Sequence, residues 1–421
     1  MGRIELYAEL LTNIRTVTLV ASLHTESNQE TRIELSGDGS MISIQHEGIS
    51  ASLRLPSRMA GGGTAALTLP PRPSKDLTLR LKVEETEPGL IAFEHSDENL
   101  VPWPATAMDD ASGVQCRQCG VSLLRMQDVN EWRDLPNENW AEMMDFWHCH
   151  KPHEHETHDA EDTQKKGYSA SSKLTARAGV GYVGLTYLIL AEVDCENIQA
   201  ADPTESSVLQ CTRCGLALGI VDPATEGWKL YKWSLSISRE DSSKQCFTNL
   251  KWISTQLLSA VENSGVRRFV VEPARSDKDG SNALLLWLFT DSLSFSSSYQ
   301  FFKRRDPTRA MKIMWKRIQN ASETMESRHF SHEHLVFPPH IYETLKNGLQ
   351  ESQFLLPQAA RKFQDWHVGL LERFSWEDVS GTDATVLPAP KAPANETEEQ
   401  EAEKNNRDAI KKIQGSEALL E

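Results

Sequence analysis

Two short runs constrain the fold of this chain more than any others: Cys116-Arg117-Gln118-Cys119-Gly120 and Cys211-Thr212-Arg213-Cys214-Gly215. Each is a C-x-x-C closed by glycine, and each follows a glutamine, Gln115 or Gln210. A C-x-x-C turn sets two thiols on one side of a tight loop, and the glycine lets the backbone fold back beneath them. Two such turns supply four thiolates, a full tetrahedral ligand set for one structural zinc ion. A pair of redox dithiols, or chance recurrence, is the alternative. The shared flanking Gln and Gly argue against chance, and no thioredoxin-like βαβ pattern surrounds either motif. Cys116, Cys119, Cys211 and Cys214 are therefore the expected zinc ligands. With all four positions taken by sulfur, such a site is closed and structural rather than catalytic.

The rest of the composition narrows the class. Seven cysteines in 421 residues, four of them in C-x-x-C pairs, fit a reducing compartment with metal better than a disulfide framework. A net charge of −16 argues against a general nucleic-acid binder, because phosphate contacts need a basic surface. No stretch of eighteen apolar residues exists, so no membrane span is expected. The start, Met1-Gly2-Arg3-Ile4-Glu5-Leu6, lacks a cationic region followed by an apolar one, so no secretory signal is expected either. Residues 377–421 hold eleven acidic against five basic residues and many Pro and Ala, and read as an acidic tail without a fold. Within it, Ile410 to Leu420 is weakly amphipathic.

The expected fold class is α+β and β-rich, in three folded regions. Residues 1–98 read as an antiparallel sheet or sandwich. Ile49, Ala51, Leu53 and Leu55 alternate with polar neighbours, as do Leu77, Leu79, Leu81 and Val83. Ser36–Gly39, Gly61–Gly63 and Pro70–Pro73 mark turns. Residues 99–240 form a central unit clasped by zinc. After its first knuckle, Trp140, Met143, Met144 and Trp147 recur at helical spacing, with Asn137 or Asn139 as cap, so a short amphipathic helix with a core-facing stripe is expected. Cys149 and His150 directly follow that stripe. Five histidines lie in residues 148–158. His-rich tracts can bind metal, but His153, His155 and His158 read better as the start of a polar insert, about residues 151–179, without a fold.

Tyr182 to Val193 is a β-prone run, and Leu216 to Val221 leads into a turn at Asp222-Pro223. Trp228 to Ile237 then alternates as one strand. This order of knuckle, hairpin, excursion, knuckle and hairpin resembles the zinc-anchored β-tent of the thalidomide-binding domain of cereblon and of the yippee proteins. The resemblance covers about 130 residues, by the spacing of the knuckles, and implies fold alone. In residues 241–376, Leu250, Ile253, Leu257, Leu258 and Val261 stripe a helix from Thr248 to Asn263 that stops at Gly265. Arg268–Glu272 reads as a strand, Ala283–Phe289 as a strand buried on both faces, and Met311, Ile313 and Trp315 as one face of a third. Two helices with Pro in the first turn are expected at Pro339–Gln350 and Pro357–Phe374.

Taken together, CRQCG (116–120), LPNENWAEMMDFWHCH (135–150), QCTRCGLALG (210–219), WKLYKWSL (228–235), ALLLWLFTDSLSFSSS (283–298) and RAMKIMWKRI (309–318) resemble the HECT-like family that binds ubiquitin-conjugating enzymes. The resemblance runs from about residue 100 to 375, and 135–150 is its most specific part. It implies a ubiquitin ligase with a conjugating enzyme as partner, a nuclear or cytoplasmic location, and a link to the endonuclease subunit of the pre-mRNA cleavage and polyadenylation machinery. A HECT ligase carries ubiquitin on a cysteine near its C-terminus in a Thr-Cys-Phe context. Here the last cysteine is Cys246, in a Cys-Phe setting with no preceding Thr, and 175 residues follow it. Of the thiols outside the knuckles, Cys149, Cys195 and Cys246, only Cys149 has imidazoles on both sides, His148 and His150, to take its proton. It is the candidate catalytic residue, set against a role as a core or zinc-proximal thiol. Three functions fit these features: a ligase that positions a charged conjugating enzyme, a non-catalytic escort of the endonuclease, and, on the aromatic strand alone, a β-tent that binds a small molecule.

Overall fold

The computed structural model describes residues 3–11, 14–61, 63, 67, 69, 72–84, 99–108, 113–124, 128–135, 174–202, 206–238, 244–274, 283–299, 306–319, 321–325 and 331–380. The first third gives β1 (Glu5–Leu11), β2 (Thr16–Ser22), β3 (Arg32–Leu35), β4 (Met41–His46), β5 (Ile49–Arg54) and β6 (Asp76–Lys82). The middle gives β7 (Gly113–Cys116), β8 (Glu131–Asp134), β9 (Val180–Val183), β10 (Tyr187–Leu190), β11 (Ile198–Asp202), β12 (Ser206–Cys211), β13 (Ala217–Asp222), β14 (Gly227–Tyr231), β15 (Leu235–Ser238) and β16 (Lys244–Gln245). The last third gives α1 (Asn249–Ser264), β17 (Arg268–Pro273), β18 (Ala283–Ser297), β19 (Thr308–Ile318), α2 (Ala321–Met325), β20 (Glu333–Phe337), α3 (Pro339–Ser352), β21 (Lys362–Phe363), β22 (Trp366–Glu372) and α4 (Trp376–Ser380). The protein is β-rich, as its alternating patterns require.

A nine-stranded sheet runs β21-β22-β19-β18-β1-β2-β6, with β17 joined to β18 and β20 to β17. The N-terminal region keeps a core of its own. Leu6, Leu19, Leu77 and Leu79 from β1, β2 and β6 face Ile42, Ile44 and Leu53 from the small β3-β4-β5 sheet, a two-layer sandwich. Its large sheet does not close there, because β1 pairs with β18 through Tyr7↔Ser297 and Glu9↔Phe295. A second core covers the reverse face of β1, where Tyr7 packs, so β1 is buried along most of its length, while β2 and β6 are covered on one face and alternate strictly. Tyr7 and Glu9 on the reverse face meet the C-terminal strands: Tyr7 Oη donates to Glu9 at 2.7 Å, and Lys312 Nζ pairs with the same carboxylate.

Leu284, Leu286 and Leu288 of β18 face one core, and Ala283 and Leu285 face another, so the doubly buried run is present up to the bulge at Phe289. Helix α1 covers the first of these cores with Trp252, Ile253, Leu257 and Leu258, and ends at Gly265, whose left-handed φ of 71° and N–H to Val261 O (2.7 Å) close it. Helix α3 crosses α1 at Gly348, where a Cβ would stand 2.6 Å from Leu250.

The helix expected at Pro357–Phe374 is absent. A 3₁₀ turn at Gln358–Ala360 leads into the β21–β22 hairpin, which turns at Gln364 (φ 54°). Phe363, Trp366, Leu370 and Phe374 do recur at helical spacing. Trp366, Val368 and Leu370 also form a period-two face on one core, while Leu371 and Phe374 serve the other. A strand covered on both faces shows both periods, and tertiary context decides. Here Gly369 lies under α3, where a Cβ would stand 2.9 Å from Leu349, and Leu370 N donates to Ser352 Oγ at 2.9 Å.

Candidate metal centre and its surroundings

The two knuckles have the same backbone. Cys116 ends β7 and Cys211 ends β12. In the first, Cys116 N donates to Val121 O (2.9 Å) and Gly120 N to Cys116 O (2.8 Å). In the second, Cys211 N donates to Leu216 O (2.9 Å) and Gly215 N to Cys211 O (2.9 Å). Gly120 and Gly215 take φ of 70° and 73°, the left-handed conformation that the return of the chain requires.

These turns bring the four sulfurs together. All four Sγ atoms lie within 4.8 Å of one another, with Cys116–Cys214 and Cys119–Cys211 both at 3.6 Å. A disulfide would need about 2.05 Å. With Zn–S near 2.3 Å, the edge of a ZnS₄ tetrahedron is about 3.8 Å. The spacing thus fits four thiolates around one ion. Cys116 and Cys211 are fully buried, while Cys119 and Cys214 lie at the rim. Burial pushes the Cys116 and Cys214 thiols up. Cys119 is also disfavoured by burial, but the N–H of Val121 and the neighbouring thiols outweigh that and hold it below the usual thiol value.

The polypeptide builds this convergence through a corner in the expected Trp228–Ile237 strand. That segment is two strands, β14 and β15, separated by a 3₁₀ turn at Lys232–Ser234. β14 lies in the seven-stranded sheet β11-β12-β13-β14-β10-β9-β8, beside the hairpin that leaves the second knuckle. β15 turns into a separate sheet and pairs with β7, setting Leu235 opposite Cys116. Ser234 joins both sides: its O accepts Arg117 N (3.0 Å), and its Oγ donates to Ala217 O (2.8 Å). Asn197, left-handed at φ 56°, makes a second bridge. Its Nδ2 donates to Ser122 O (2.9 Å), and its O accepts Thr212 N (3.0 Å). Arg117 also donates to Trp233 O (3.1 Å) and to Asn249 at the first turn of α1, so the first knuckle is tied to the helix.

Inside the corner, Lys232 is 1 % exposed, and its Nζ donates to Pro102 O (3.3 Å) and Trp103 O (3.2 Å). Burial lowers its pKa to about 7, and the carboxylate of Asp134 opposes the fall. The aromatic residues around it serve the core. Tyr231 stacks on the buried Trp233 at 4.4 Å, and Trp103 packs on Trp252 and Phe247.

Of the thiols outside the knuckles, Cys195 and Cys246 are buried, and Cys195 Sγ lies 3.5 Å from Ala191 O. Cys149, His150 and the Trp140–Trp147 stripe fall in residues 136–173, outside the described residues. Arg117, Asn197, Lys232 and Ser234 were not singled out from sequence. Only Asn197 carried a local signal, since Asn tolerates a left-handed backbone. A lysine between aromatics reads as exposed, and a serine has no marker.

The chain is 26 % identical over 292 residues to an uncharacterized protein of Schizosaccharomyces pombe, covering 66 % of this chain and 80 % of that one. It is 25 % identical over 261 residues to an uncharacterized protein of Saccharomyces cerevisiae, covering 62 % and 69 %. It is 24 % identical over 276 residues to an E3 ubiquitin-protein ligase of Bos taurus, covering 62 % and 66 %. No solved structure matches. A family model described as HECT-like Ubiquitin-conjugating enzyme (E2)-binding matches residues 9–368, from β1 into β22. The chain belongs to the HECT-like ubiquitin-conjugating enzyme (E2)-binding family.

Proposed function

We propose that this protein is ligase-like: it binds a ubiquitin-conjugating enzyme charged with ubiquitin and promotes transfer to a substrate, in the nucleus or cytoplasm. The observation that carries the reading is the family match, which takes in every sheet of the described structure. The similarity to a bovine E3 ubiquitin-protein ligase supports it. In the same reading Cys116, Cys119, Cys211 and Cys214 hold one zinc ion, which clasps a tent-like central unit. Bound there, zinc supplies positive charge to four thiolates and has no open position for substrate. The residues around it, Ser234, Asn197 and Arg117, fix the two knuckles and α1 in one orientation, so the unit presents a fixed surface to its partner.

Transfer then proceeds by positioning. A conjugating enzyme already carries ubiquitin as a reactive thioester, and holding it in an attack-competent geometry lowers the barrier without a nucleophile from the ligase. Burial of Cys195 and Cys246 supports this mode, because a thiol that accepts ubiquitin must be exposed. Cys149 is the one cysteine left for a covalent route. The net charge of −16 fits a second reading, escort of a basic partner, with the cleavage and polyadenylation endonuclease as the candidate, though it equally serves solubility.

A single-turnover discharge assay tests the proposal. Full-length protein mixed with charged conjugating enzyme and free lysine should accelerate loss of the thioester, and Cys149→Ser should discharge as fast as wild type. A reducible ubiquitin adduct lost in Cys149→Ser would replace positioning with covalent transfer. No acceleration across a panel of conjugating enzymes, with stable capture of the endonuclease, would favour the escort.

A further inference from the structure

The N-terminal sandwich carries a second set of metal-competent side chains, on elements that hold none of the knuckle cysteines. One imidazole nitrogen each from His24 and His46 and one carboxylate oxygen of Glu47 lie within 4.8 Å of one another. We propose that these three residues bind a divalent transition ion of the zinc type, at a site distinct from the four-thiol cluster.

The elements converge by topology. His24 lies just after β2, in the large sheet, while His46 ends β4 in the small sheet that packs over it. Glu47 and Gly48 form the two-residue turn to β5, with φ of 49° and 78°. Two positive φ values make this a type I′ turn, whose first position favours Asn, Asp or Gly. A glutamate is a poor choice for the backbone, yet at this position its carboxylate reaches the histidines.

The donor set points to the class of ion. Two imidazoles and one carboxylate suit zinc and its first-row neighbours, whereas calcium and magnesium take oxygen ligands. His24 Nε2 stands 3.1 Å from Glu47 Oε2. With Zn–N and Zn–O near 2.0–2.1 Å, adjacent ligands of a tetrahedral ion are about 3.3 Å apart. The surrounding hydrogen bonds are of the kind that orient ligands. His46 is fully buried and its Nδ1 meets Thr31 Oγ1 at 2.9 Å. Thr31 Oγ1 also accepts Asn28 N (2.9 Å), and Asn28 Nδ2 donates to Glu47 Oε1 (3.2 Å). Nε2 of His46 faces the Thr25 hydroxyl at 2.7 Å, a group that turns aside by rotation about one bond. His24 Nδ1 is buried without a hydrogen-bond partner. Three protein ligands leave the remaining position to solvent, and Glu47 lies on the solvent side. An ion here would cross-link the two layers of the sandwich.

The test is zinc binding by the full chain, counted by elemental analysis after equilibration with excess zinc and removal of free ion, and by calorimetric titration with zinc alone. Wild type should hold two ions per chain, and His24→Gln with Glu47→Gln should hold one, with circular dichroism unchanged. Thr31→Val should keep two sites but weaken the second by about 10–100-fold, the usual effect of removing an orienting partner. Zinc beyond the first equivalent should raise the melting temperature of wild type and leave that of the double variant unchanged. One ion in wild type, or a second ion that survives His24→Gln with Glu47→Gln, overturns the proposal. The latter result would place the ion elsewhere, for instance in the histidine tract at 148–158.

Discussion

Replacing Lys232 by methionine should change how stability depends on pH, and the structure sets the size and sign of the change. The Lys232 ammonium meets two backbone carbonyls and lies 5.8 Å from the Trp252 ring, with water excluded. Burial takes its pKa from the ordinary 10.5 to about 7. Between those values the unfolded chain binds a proton that the folded chain does not. Stability therefore rises with pH across that window. Below about pH 7 both states are charged and the full penalty applies, and it vanishes above 10.5. At ~1.4 kcal/mol per pH unit, the whole window is worth about 5 kcal/mol. Methionine does not titrate, but it leaves the Pro102 and Trp103 carbonyls without a donor, at about 1–3 kcal/mol each, independent of pH. Urea unfolding of both proteins, followed by tryptophan fluorescence in zinc-containing buffer, should show Lys232→Met near or above wild type at pH 6.5. By pH 9 it should fall about 2–3 kcal/mol relative to wild type, two pH units into the window. Other groups titrate alike in both proteins and cancel in the difference. Parallel stability profiles would refute the reasoning, since they would mean that Lys232 keeps its proton or is not buried in the folded chain.

Gly219→Ala and Gly215→Ala should fail for different reasons. A Cβ at 219 would stand 1.9 Å from Lys229 O and force β13 from β14, costing at least the ~1–3 kcal/mol of an overpacked core. Position 215 has open space, so alanine there should cost only the ~1–2 kcal/mol of a left-handed backbone; urea midpoints separate the two. Ser234→Ala removes the bond to Ala217 O and should cost about 1–2 kcal/mol by the same measurement, with zinc content unchanged. Thiol labelling of the zinc-loaded chain, mapped by mass spectrometry of peptides, should leave Cys195 and Cys246 unmodified until denaturant is added, as their burial requires.

Much of this architecture is written locally. Each C-x-x-C-Gly turn is a self-contained device that sets two sulfurs side by side, and the two pairs do come together in the structure. The α1 stripe and its Gly265 stop, and the alternation at Leu77, Leu79 and Leu81, are periodic signals that packing reinforces. What escaped sequence reasoning is long-range or two-sided. The pairing of β1 with β18 joins residues almost 300 positions apart and has no local signature. The corner at Lys232–Ser234 hides inside an alternating run, because a 3₁₀ turn of three residues barely disturbs a period of two. The Pro357–Phe374 segment reads as a helix because burial on both faces blurs the period, and tertiary context, the pairing of β22 with β19 and the packing of Gly369 against α3, resolves it. At the site itself, the four cysteines that cluster were legible and the frame that brings them together was not. Ser234 and Asn197 each use one backbone carbonyl and one side-chain donor to reach partners distant in the chain, a pairing that has no local signature.

The most direct test of the account is equilibrium binding of a panel of charged ubiquitin-conjugating enzymes to the full chain, wild type against Cys116→Ser with Cys214→Ser, with zinc content measured on the same samples. Wild type is expected to carry zinc in the four-thiol cluster and to bind at least one enzyme of the panel. The double variant should lose that ion and the binding together, because metal at a structural site is part of the folding free energy of the unit it closes. No binding across the panel, or undiminished binding by a variant without the ion, would contradict it.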